Sequence, residues 1–343
     1  MPNNLRSTAN GLAASIAKGW KPNLYLTNMS MASFADPGDW VAPSIFPICP
    51  VPQSSDYYYI FSRADLARDD MRRKPAFGKV APAVIGETEA TYSCKVDQVI
   101  LGIDQIRALD YQRSRAPGVI DPRRAKVRTA AEKTHIHLDV LFAQNFFKTG
   151  MWGNELNGVA SNPTGKQFLK FSDSNSDPVK LFDTWATGIK QIGRRKPNRL
   201  CLGVNVFNAL KGHGDILERV KYTGTTANPA NVNETVLAQL FGVEQVKVLD
   251  STYNAAGLGE AEDMEFICSP NDALLCYATQ TPQIDEPSAG YIFTWDMLGD
   301  GNWMATDQWE GENGTHTEFI ESLMATDMKK TSDDLAMYLH DCV

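Results

Sequence analysis

The sequence predicts an α+β fold in which one long helix separates an extended first part from a compact mixed lobe. Residues 121–149 have the signals of a single helix, whereas short, proline-interrupted apolar runs precede residue 50. Between about 196 and 279, short strands alternate with short helices, as is typical of a compact α/β lobe. A chain of 343 residues, 43% of them hydrophobic, is long enough to bury a sizeable core.

Residues 1–50 are predicted to form an arm rather than a domain. Prolines at positions 22, 37, 43, 47 and 50 interrupt its apolar runs, yet it carries aromatic residues that include Trp20 and Trp40. This much apolar surface is not typical of a free tail. Either the arm folds back on its own body or a neighbouring copy covers it, and we favour the neighbour.

Residues 51–105 are predicted to form an extended hairpin. The segments 57–61 and 91–100 are rich in aromatic and β-branched residues, as strands require. The stretch between them is charged and contains several prolines and glycines. An isolated hairpin is marginally stable in water, so this one is expected to need a partner surface.

The long helix is predicted over 121–149. Asp121 is a good N-cap, Pro122 occupies a position where its missing N–H costs nothing, and Gly150 favours a left-handed stop. At about 1.5 Å per residue the helix would span roughly 40 Å. Apolar or small residues recur every three or four positions and define its buried face, namely Val127, Ala130, Ala131, Leu138, Leu141, Phe142 and Phe146.

After Gly150 we predict a polar loop with a short pairing at 168–171, and then a second helix. Asp177 and Pro178 begin this helix, and Arg194, Arg195 and Lys196 suit its C-terminus. In the following lobe, helices are predicted after Asn205 and at 215–222, and a further helix between Asn233 and Gly242. Strands are predicted at 199–204, 243–249, 264–268 and 273–278.

The last part of the chain is predicted to consist of strands. Segment 290–296 is followed by a glycine-rich, tryptophan-bearing loop at 299–314. Segments 316–324 and 335–343 then read as strands that bring the C-terminus back to the long helix.

Charge is distributed unevenly along the chain, which has a net charge of −8. Residues 63–128 carry 14 basic and nine acidic side chains, while residues 296–343 carry two basic and 11 acidic ones. Solvated faces of both signs would explain this. The sharper hypothesis is that the basic part of one copy meets the acidic part of another, with Arg72, Arg73 and Lys74 at the hairpin tip as contacts. The acidic balance argues against a dedicated nucleic-acid reader.

The six cysteines are widely spaced, and no C-x-x-C pair is present, so reduced buried thiols are predicted rather than disulfides or a metal site. No apolar run is long enough for a membrane span, and the first twenty residues lack the apolar core of a signal peptide. The chain is therefore expected in the cytoplasm of the cell that makes it.

No motif predicts chemistry. Gly158 and Gly165 lie too far apart for a phosphate-binding loop, and the segment 257–262 lacks the third glycine of a dinucleotide fingerprint. His135 and His137 would point about 200° apart on a helix and are interpreted as packed or surface histidines. No nucleophile elbow is present. Surface charge explains the carboxylate clusters, with a divalent cation at 260–263 as the alternative. The sequence predicts no catalytic residue, cofactor or metal site, and a structural role is favoured.

The order of these parts resembles the major capsid proteins of tailed double-stranded-DNA phages, the Hong Kong 97 type of shell fold. The similarity extends over most of the chain from about residue 40. The segments that carry it are VAPSIFPICPVPQSSDYYYIF (41–61), FAQNFFKTGMWG (142–153), FSDSNSDPV (171–179), RKPNRLCLGVNVFNALKGHGDILERVKYT (195–223), LAQLFGVEQVKVLDSTYN (237–254) and PSAGYIFTW (287–295).

The resemblance implies a shell subunit that forms hexamers and pentamers closing into an icosahedral head around double-stranded DNA. It implies an N-terminal arm at 1–50, an extended loop at 51–105 over the adjacent subunit, a peripheral domain at 106–195 and 280–343, and an axial domain at 196–279. Portal, scaffold or decoration proteins are further partners that it suggests. The virion, and the host cytoplasm during assembly, would be its location.

Two departures from the family pattern are expected to matter. Some relatives carry a long N-terminal scaffolding segment, which is not seen before the arm here, so scaffolding should come from elsewhere or be dispensable. Others cross-link through a Lys and an Asn, but nothing marks an acidic catalyst beside Lys74 or Lys79, and cross-linking is not predicted. The alternatives are an encapsulin-like compartment shell and an α/β enzyme built on the 196–279 lobe.

Overall fold

The computed structural model contains two multi-stranded sheets, a two-stranded ribbon, a small hairpin, six α-helices and one short 3-10 helix, Asp333–Leu335, within the residues it describes. Those residues are 40–61, 68–82, 87–106, 109, 122–221, 232–257, 259–282, 287–297, 299 and 302–343. Trp20, most of the predicted arm and the predicted Asp121 cap lie outside them.

The helices are Ala42–Ile45 (α1), Pro122–Asn145 (α2), Pro178–Gly193 (α3), Val204–Gly212 (α4), Gly214–Lys221 (α5) and Glu234–Phe241 (α6). The strands are Ile48–Val51 (β1), Ser55–Phe61 (β2), Glu87–Ser93 (β3), Lys95–Asp104 (β4), Glu155–Val159 (β5), Gln167–Leu169 (β6), Arg199–Gly203 (β7), Gln245–Leu249 (β8), Thr252–Asn254 (β9), Met264–Phe266 (β10), Ala273–Cys276 (β11), Gly290–Trp295 (β12), Met304–Glu310 (β13), Thr317–Lys330 (β14) and Ala336–His340 (β15).

The long strand β14 is the centre of a five-stranded sheet. Along one edge of β14, residues 318–324 pair with β13 and residues 326–330 pair with β12. The other edge of β12 pairs with β1. The other edge of β14 pairs with β4 from Thr317↔Asp104 to Thr326↔Lys95. The predicted strand at 91–100 is therefore two strands, because the chain changes partner at Cys94: β3 pairs with β2, while β4 joins this sheet.

The second sheet has six strands in the order β6, β5, β15, β11, β7, β8. The predicted return of the last strands to the long helix is confirmed for β14, which packs against α2. β15 lies between β5 and β11, and its Tyr338 ring lies 5.4 Å from Phe147, just after the end of α2. The predicted 196–279 lobe thus shares its sheet with three strands from outside that range, and the domain boundaries stay a prediction. The loop predicted at 299–314 was also wrong in part, because it contains β13.

Local capping signals fix the helices around the second sheet. Asp177 accepts the Lys180 N–H at the start of α3, and Asn233 accepts the Val236 N–H at the start of α6, as predicted. Gly242 ends α6 with a φ of 63°. The predicted Asn205 cap was wrong, because α4 begins directly after β7 with Gly203 as its N-cap and no side-chain cap bond.

The buried face of α2 matches the predicted stripe except for Leu141, which is half-buried. The helix ends at Asn145 rather than 149, because the Phe146 and Phe147 N–H groups both donate to the Phe142 carbonyl and close a tight turn. This turn leads to Gly150, whose φ is 87°.

The end of the predicted arm lies in the chain's own core. Val41, Ala42, Ile45 and Phe46 are at most 1% exposed, and the Phe46 ring centroid lies 4.5 Å from that of Phe146. For this part of the arm, the expectation that a neighbouring copy covers it was wrong. The apolar face of α2 provides the cover instead.

All six cysteines are free, and five of them are buried, as predicted. Burial raises the pKa of the Cys94 thiol to about 11, so it stays protonated at neutral pH. Among the described helices, none combines the length and apolar character that a bilayer-spanning segment requires.

Candidate functional site

The two histidines on α2 make separate contacts. His135 is 2% exposed and stacks on Trp40, with ring centroids 4.4 Å apart. His137 points elsewhere and lies with Nε2 3.1 Å from an Asp97 carboxylate oxygen. Within the described ranges, no group of three or more His, Cys, Asp or Glu side chains is arranged to bind a metal ion. Trp40 therefore has a partner in its own chain, and its contact with another copy stays a prediction.

Asp139 joins three parts of the chain. The sequence analysis did not predict this role, because Asp139 lies within an apolar helical stripe and no function was assigned to its carboxylate. It is 1% exposed on α2. Its oxygens accept the Val41 and Ala42 N–H groups, at 3.1 and 2.8 Å, and the Ser251 hydroxyl at 2.9 Å. Burial raises the pKa of Asp139, and these hydrogen bonds oppose that shift. Asp139 thus ties the start of α1 and the segment after β8 to the long helix.

A second buried carboxylate, Asp272, holds the C-terminal strand. It accepts the Tyr338 hydroxyl and the Asp341 N–H, both at 2.8 Å, and lies 3.0 Å from His340 Nδ1. Asp272 is 4% exposed and Tyr338 is fully buried. No sequence signal marked this cluster, since its members lie 66 to 69 positions apart.

Replacing Asp272 with alanine is expected to lower the free energy of unfolding by about 2–3 kcal/mol, because buried donors then lose their acceptor. Hydrogen exchange should accelerate selectively in β15. Tyr338→Phe, which removes one donor and leaves the carboxylate, should cost about 1 kcal/mol. Urea denaturation combined with exchange mass spectrometry measures both. Equal exchange in β15 of the Asp272→Ala variant and the unaltered protein would contradict this role.

Aromatic rings connect the ribbon of β2 and β3 to the five-stranded sheet. Tyr58 and Tyr92 pack on Phe293 of β12, with ring centroids 5.4 and 4.8 Å away. The neighbouring Tyr57 is 63% exposed. The ribbon pairs from Ser55↔Ser93 at the base to Phe61↔Glu87, about 20 Å along the strands.

Residues 68–82, which we call the tip loop, belong to the segment of the chain between β2 and β3. Arg72, Arg73 and Lys74 are exposed, as predicted for contact residues. Two large apolar side chains accompany them, since Met71 is 90% exposed and Phe77 is fully exposed. The tip loop therefore combines positive charge with apolar surface. The contact of Arg72, Arg73 and Lys74 with another copy stays a prediction.

Part of the acidic late segment is used within the chain. Glu318 is 6% exposed and accepts two hydrogen bonds from the Arg123 guanidinium, at 2.8 and 3.0 Å. Glu321 is 7% exposed and accepts a hydrogen bond from the Gln98 amide. These two carboxylates stabilise the packing of β14 against α2 and β4, so they are not available to a neighbouring copy.

A groove of about 660 Å³ lies between α2, β4, β14 and the small hairpin of β9 and β10. We call it the helix–hairpin groove. Its apolar lining includes Val99, Ile136, Val140 and Met324. Tyr253 and Asn254 of β9 close the hairpin side. No local pattern indicated this groove, because its walls come from four segments far apart in the chain.

Comparison with known proteins identifies the fold. No protein-family model matches the sequence. A phage-related protein from Bordetella bronchiseptica RB50 matches with a TM-score of 0.70 and 18% identity, over 94% of this chain and 97% of that protein. A protein assigned as the capsid protein of a prophage in Escherichia coli CFT073 matches with a TM-score of 0.50 and 12% identity, over 91% and 98%. The chain has the fold of a phage capsid protein.

Two further comparisons agree with the capsid fold. A virus-like particle protein from Pyrococcus furiosus matches with a TM-score of 0.52 and 9% identity, over 92% of this chain and 99% of that protein. In sequence, 85 residues are 32% identical to the major capsid protein of Burkholderia phage BcepMu, covering 24% of this chain. The match spans about a quarter of that relative, 26% of its length. The predicted resemblance to phage major capsid proteins is confirmed.

Proposed function

We propose that this chain is the major capsid protein of a tailed phage and assembles as hexamers and pentamers into an icosahedral head that encloses double-stranded DNA. One observation carries the proposal. In a chain with the capsid fold, the ribbon and tip loop present Tyr57, Met71 and Phe77 to solvent, and no described part of the same chain covers them.

Symmetric repetition provides the missing cover. A two-stranded ribbon is marginally stable alone, and it gains stability when it lies on another surface. When one surface patch of a subunit binds a different patch of the next, the subunits close into rings if the rotation between them closes. A ribbon about 20 Å long can make such a contact in hexamers and in pentamers.

The other predicted partners belong to the same proposal. DNA inside the head would be held non-specifically through its phosphates. Portal, scaffold or decoration proteins would act during assembly, which places the chain in the host cytoplasm first and in the virion afterwards. The 106–195 and 280–343 segments would form the peripheral domain and 196–279 the axial domain, with no catalytic residue or cofactor required.

Expression of the full chain, alone and together with the scaffold and portal proteins of its phage, tests the proposal. Sedimentation velocity and negative-stain microscopy should show closed particles of uniform size. A monomer in both preparations, at concentrations where capsid proteins assemble, would contradict it. An encapsulin-like compartment shell, the alternative, would form particles that copurify with a cargo enzyme rather than with DNA or tail proteins.

A further inference from the structure

The start of α2 carries a concentrated positive charge. Residues 123–133 contain five basic side chains and one acidic side chain, although the whole chain has a net charge of −8. Arg123 donates to the Glu318 carboxylate. We call the other four basic residues the basic cluster: Arg124, Arg128 and Lys133, which are exposed, and Lys126, which is half-buried. Basic residues gathered along one helix are typical of a surface that binds a polyanion.

The same chain does little to neutralise the basic cluster. Within the part of the chain that the structure describes, its one ion pair joins Arg128 Nε to a Glu132 carboxylate oxygen at 3.5 Å. The two side chains of that pair are 80% and 50% exposed, so solvent screens their attraction and the pair contributes little. The charge of the basic cluster therefore remains available to a partner.

The basic cluster is arranged as two pairs on opposite flanks of the helix. Each residue turns an α-helix by about 100°, which places the two arginines about 40° apart and the two lysines about 20° apart. The arginine pair and the lysine pair are separated by about 170° around the helix axis. The strip between the flanks is exposed and carries the small side chains Ala125 and Thr129, with Glu132 beside the arginine flank.

Double-stranded DNA matches this arrangement. The major groove is about 12 Å wide and admits an α-helix, so the two flanks of such a helix face one phosphate strand each. The helix rises about 13–14 Å from Arg124 to Lys133. Over that length each DNA strand carries about four phosphates. Each basic pair can therefore reach phosphates of one strand, and the small side chains between the flanks allow a close approach.

An acidic surface of another copy is the other polyanion that this chain offers. The late segment 296–343 contains 11 acidic side chains. Two of them, Glu318 and Glu321, are buried. Three more form ion pairs within the chain, namely Asp327, Asp333 and Asp341. About half of that acidic charge is thus already used, whereas a DNA duplex carries one negative charge per 1.7 Å of its axis. The duplex is therefore the better match.

We propose that the basic cluster of α2 is a contact site for the packaged double-stranded DNA, with its arginines against one phosphate strand and its lysines against the other. Contacts to phosphates carry no sequence information, so the site binds DNA of any sequence. The contact places the start of α2 on the inner surface of the head. This inference rests on the proposed shell function and names the surface that faces the enclosed DNA.

Duplex binding by the full chain tests the contact. A fluorescent duplex of mixed sequence is titrated with dilute, unassembled protein, and its anisotropy is followed between 50 and 200 mM salt. Four phosphate contacts predict a slope of about −3 to −4 for log K against log salt concentration, which is about 100-fold weaker binding across that range. Replacing the whole basic cluster with glutamine should bring the slope close to zero. An unchanged slope in this variant would overturn the site.

A matched control separates the cluster from a general change of charge. Lys180, Lys190, Lys211 and Arg219 are exposed and lie scattered over α3, α4 and α5. Replacing these four with glutamine alters the net charge by the same amount, and should change the salt slope by less than about one. Circular dichroism checks that both variants fold. A control that weakens duplex binding as much as the cluster variant would also overturn the site.

Lysine footprinting gives a second measurement in the assembled head. Acetylation of Lys126 and Lys133, followed by mass spectrometry, should be about fivefold slower in DNA-filled heads than in heads emptied of DNA, because bound phosphates cover the amines. Lys180 and Lys190 should react at rates that differ by less than about twofold between the two kinds of head. Equal acetylation of Lys126 and Lys133 in filled and emptied heads would overturn the contact.

Particle yield distinguishes failure of this contact from failure of the proposed function. The glutamine variant of the basic cluster should form particles within about twofold of the unaltered yield, since surface charges away from an interface contribute little. If the unaltered chain forms no particles, the proposed function has failed, and duplex binding still reports on the cluster. If the cluster variant loses particles but keeps its duplex affinity, the cluster meets an acidic surface of another copy and the DNA contact is wrong.

Discussion

Phe46→Ala is expected to lower the free energy of unfolding by about 3–5 kcal/mol, since it leaves a cavity in a close-packed core. Phe46 is fully buried, and its ring lies 4.5 Å from Phe146 and 6.1 Å from Phe142 between centroids. The loss combines the transfer of an aromatic side chain into water with the contacts that its neighbours forfeit. Urea denaturation followed by tryptophan fluorescence measures it.

Phe77→Ala is the matched control, because it removes the same atoms from a fully exposed position. Its effect on the unfolding free energy should stay within about 0.5 kcal/mol. Similar losses in the two variants would mean that the segment before β1 does not belong to the chain's own core. A large loss for Phe46→Ala alone would show that this segment stabilises the single chain.

Asp139→Ala is expected to cost about 2–4 kcal/mol. It leaves the buried Val41 and Ala42 N–H groups without an acceptor and removes the partner of the Ser251 hydroxyl. Asp139→Asn keeps an oxygen for the two N–H groups and an amide that can donate to Ser251, so it should cost about 1 kcal/mol. Thermal unfolding of the three proteins at one pH compares them. Equal losses for alanine and asparagine would show that the side-chain hydrogen bonds at this position contribute little.

The difference in unfolding free energy between the unaltered protein and Asp139→Asn should depend on pH, because the pKa of Asp139 is raised. A carboxyl whose pKa is higher in the folded state than in the unfolded state contributes stability that is fully present below its ordinary pKa. That contribution is lost as the pH rises through the folded-state value. Relative to Asp139→Asn, the unaltered protein should therefore be most favoured near pH 3.5 and should lose this advantage towards pH 7. A difference in unfolding free energy that grows with pH would contradict the burial-driven shift.

Helices could be predicted from the sequence because their signals are local. Asp177 and Asn233 each accept an N–H three residues ahead, and Gly242 adopts the left-handed conformation that ends α6. The buried face of α2 could also be predicted, because its apolar residues recur every three or four positions. Asn205 misled the prediction, because a polar residue near a helix start resembles a cap even when the preceding strand runs straight into the helix.

Strand partners and polar contacts could not be predicted, because they depend on residues far apart in the chain. Nothing near Cys94 indicates that the chain leaves β2 there and pairs with residues more than 200 positions later. Asp139 looked like an interruption of an apolar face until its acceptor role for Val41 and Ala42 was visible. The helix–hairpin groove has the same origin, since no single segment of the sequence contains it.

The pairing of β4 with β14 has a mechanical consequence. The ribbon continues into β4, and ten consecutive residue pairs connect that strand to its neighbour. A pull along β4 loads these pairs in shear and strains them together. Hydrogen bonds that share a load yield at a higher force than bonds that open one after another, so the strand behind the ribbon is built to carry tension.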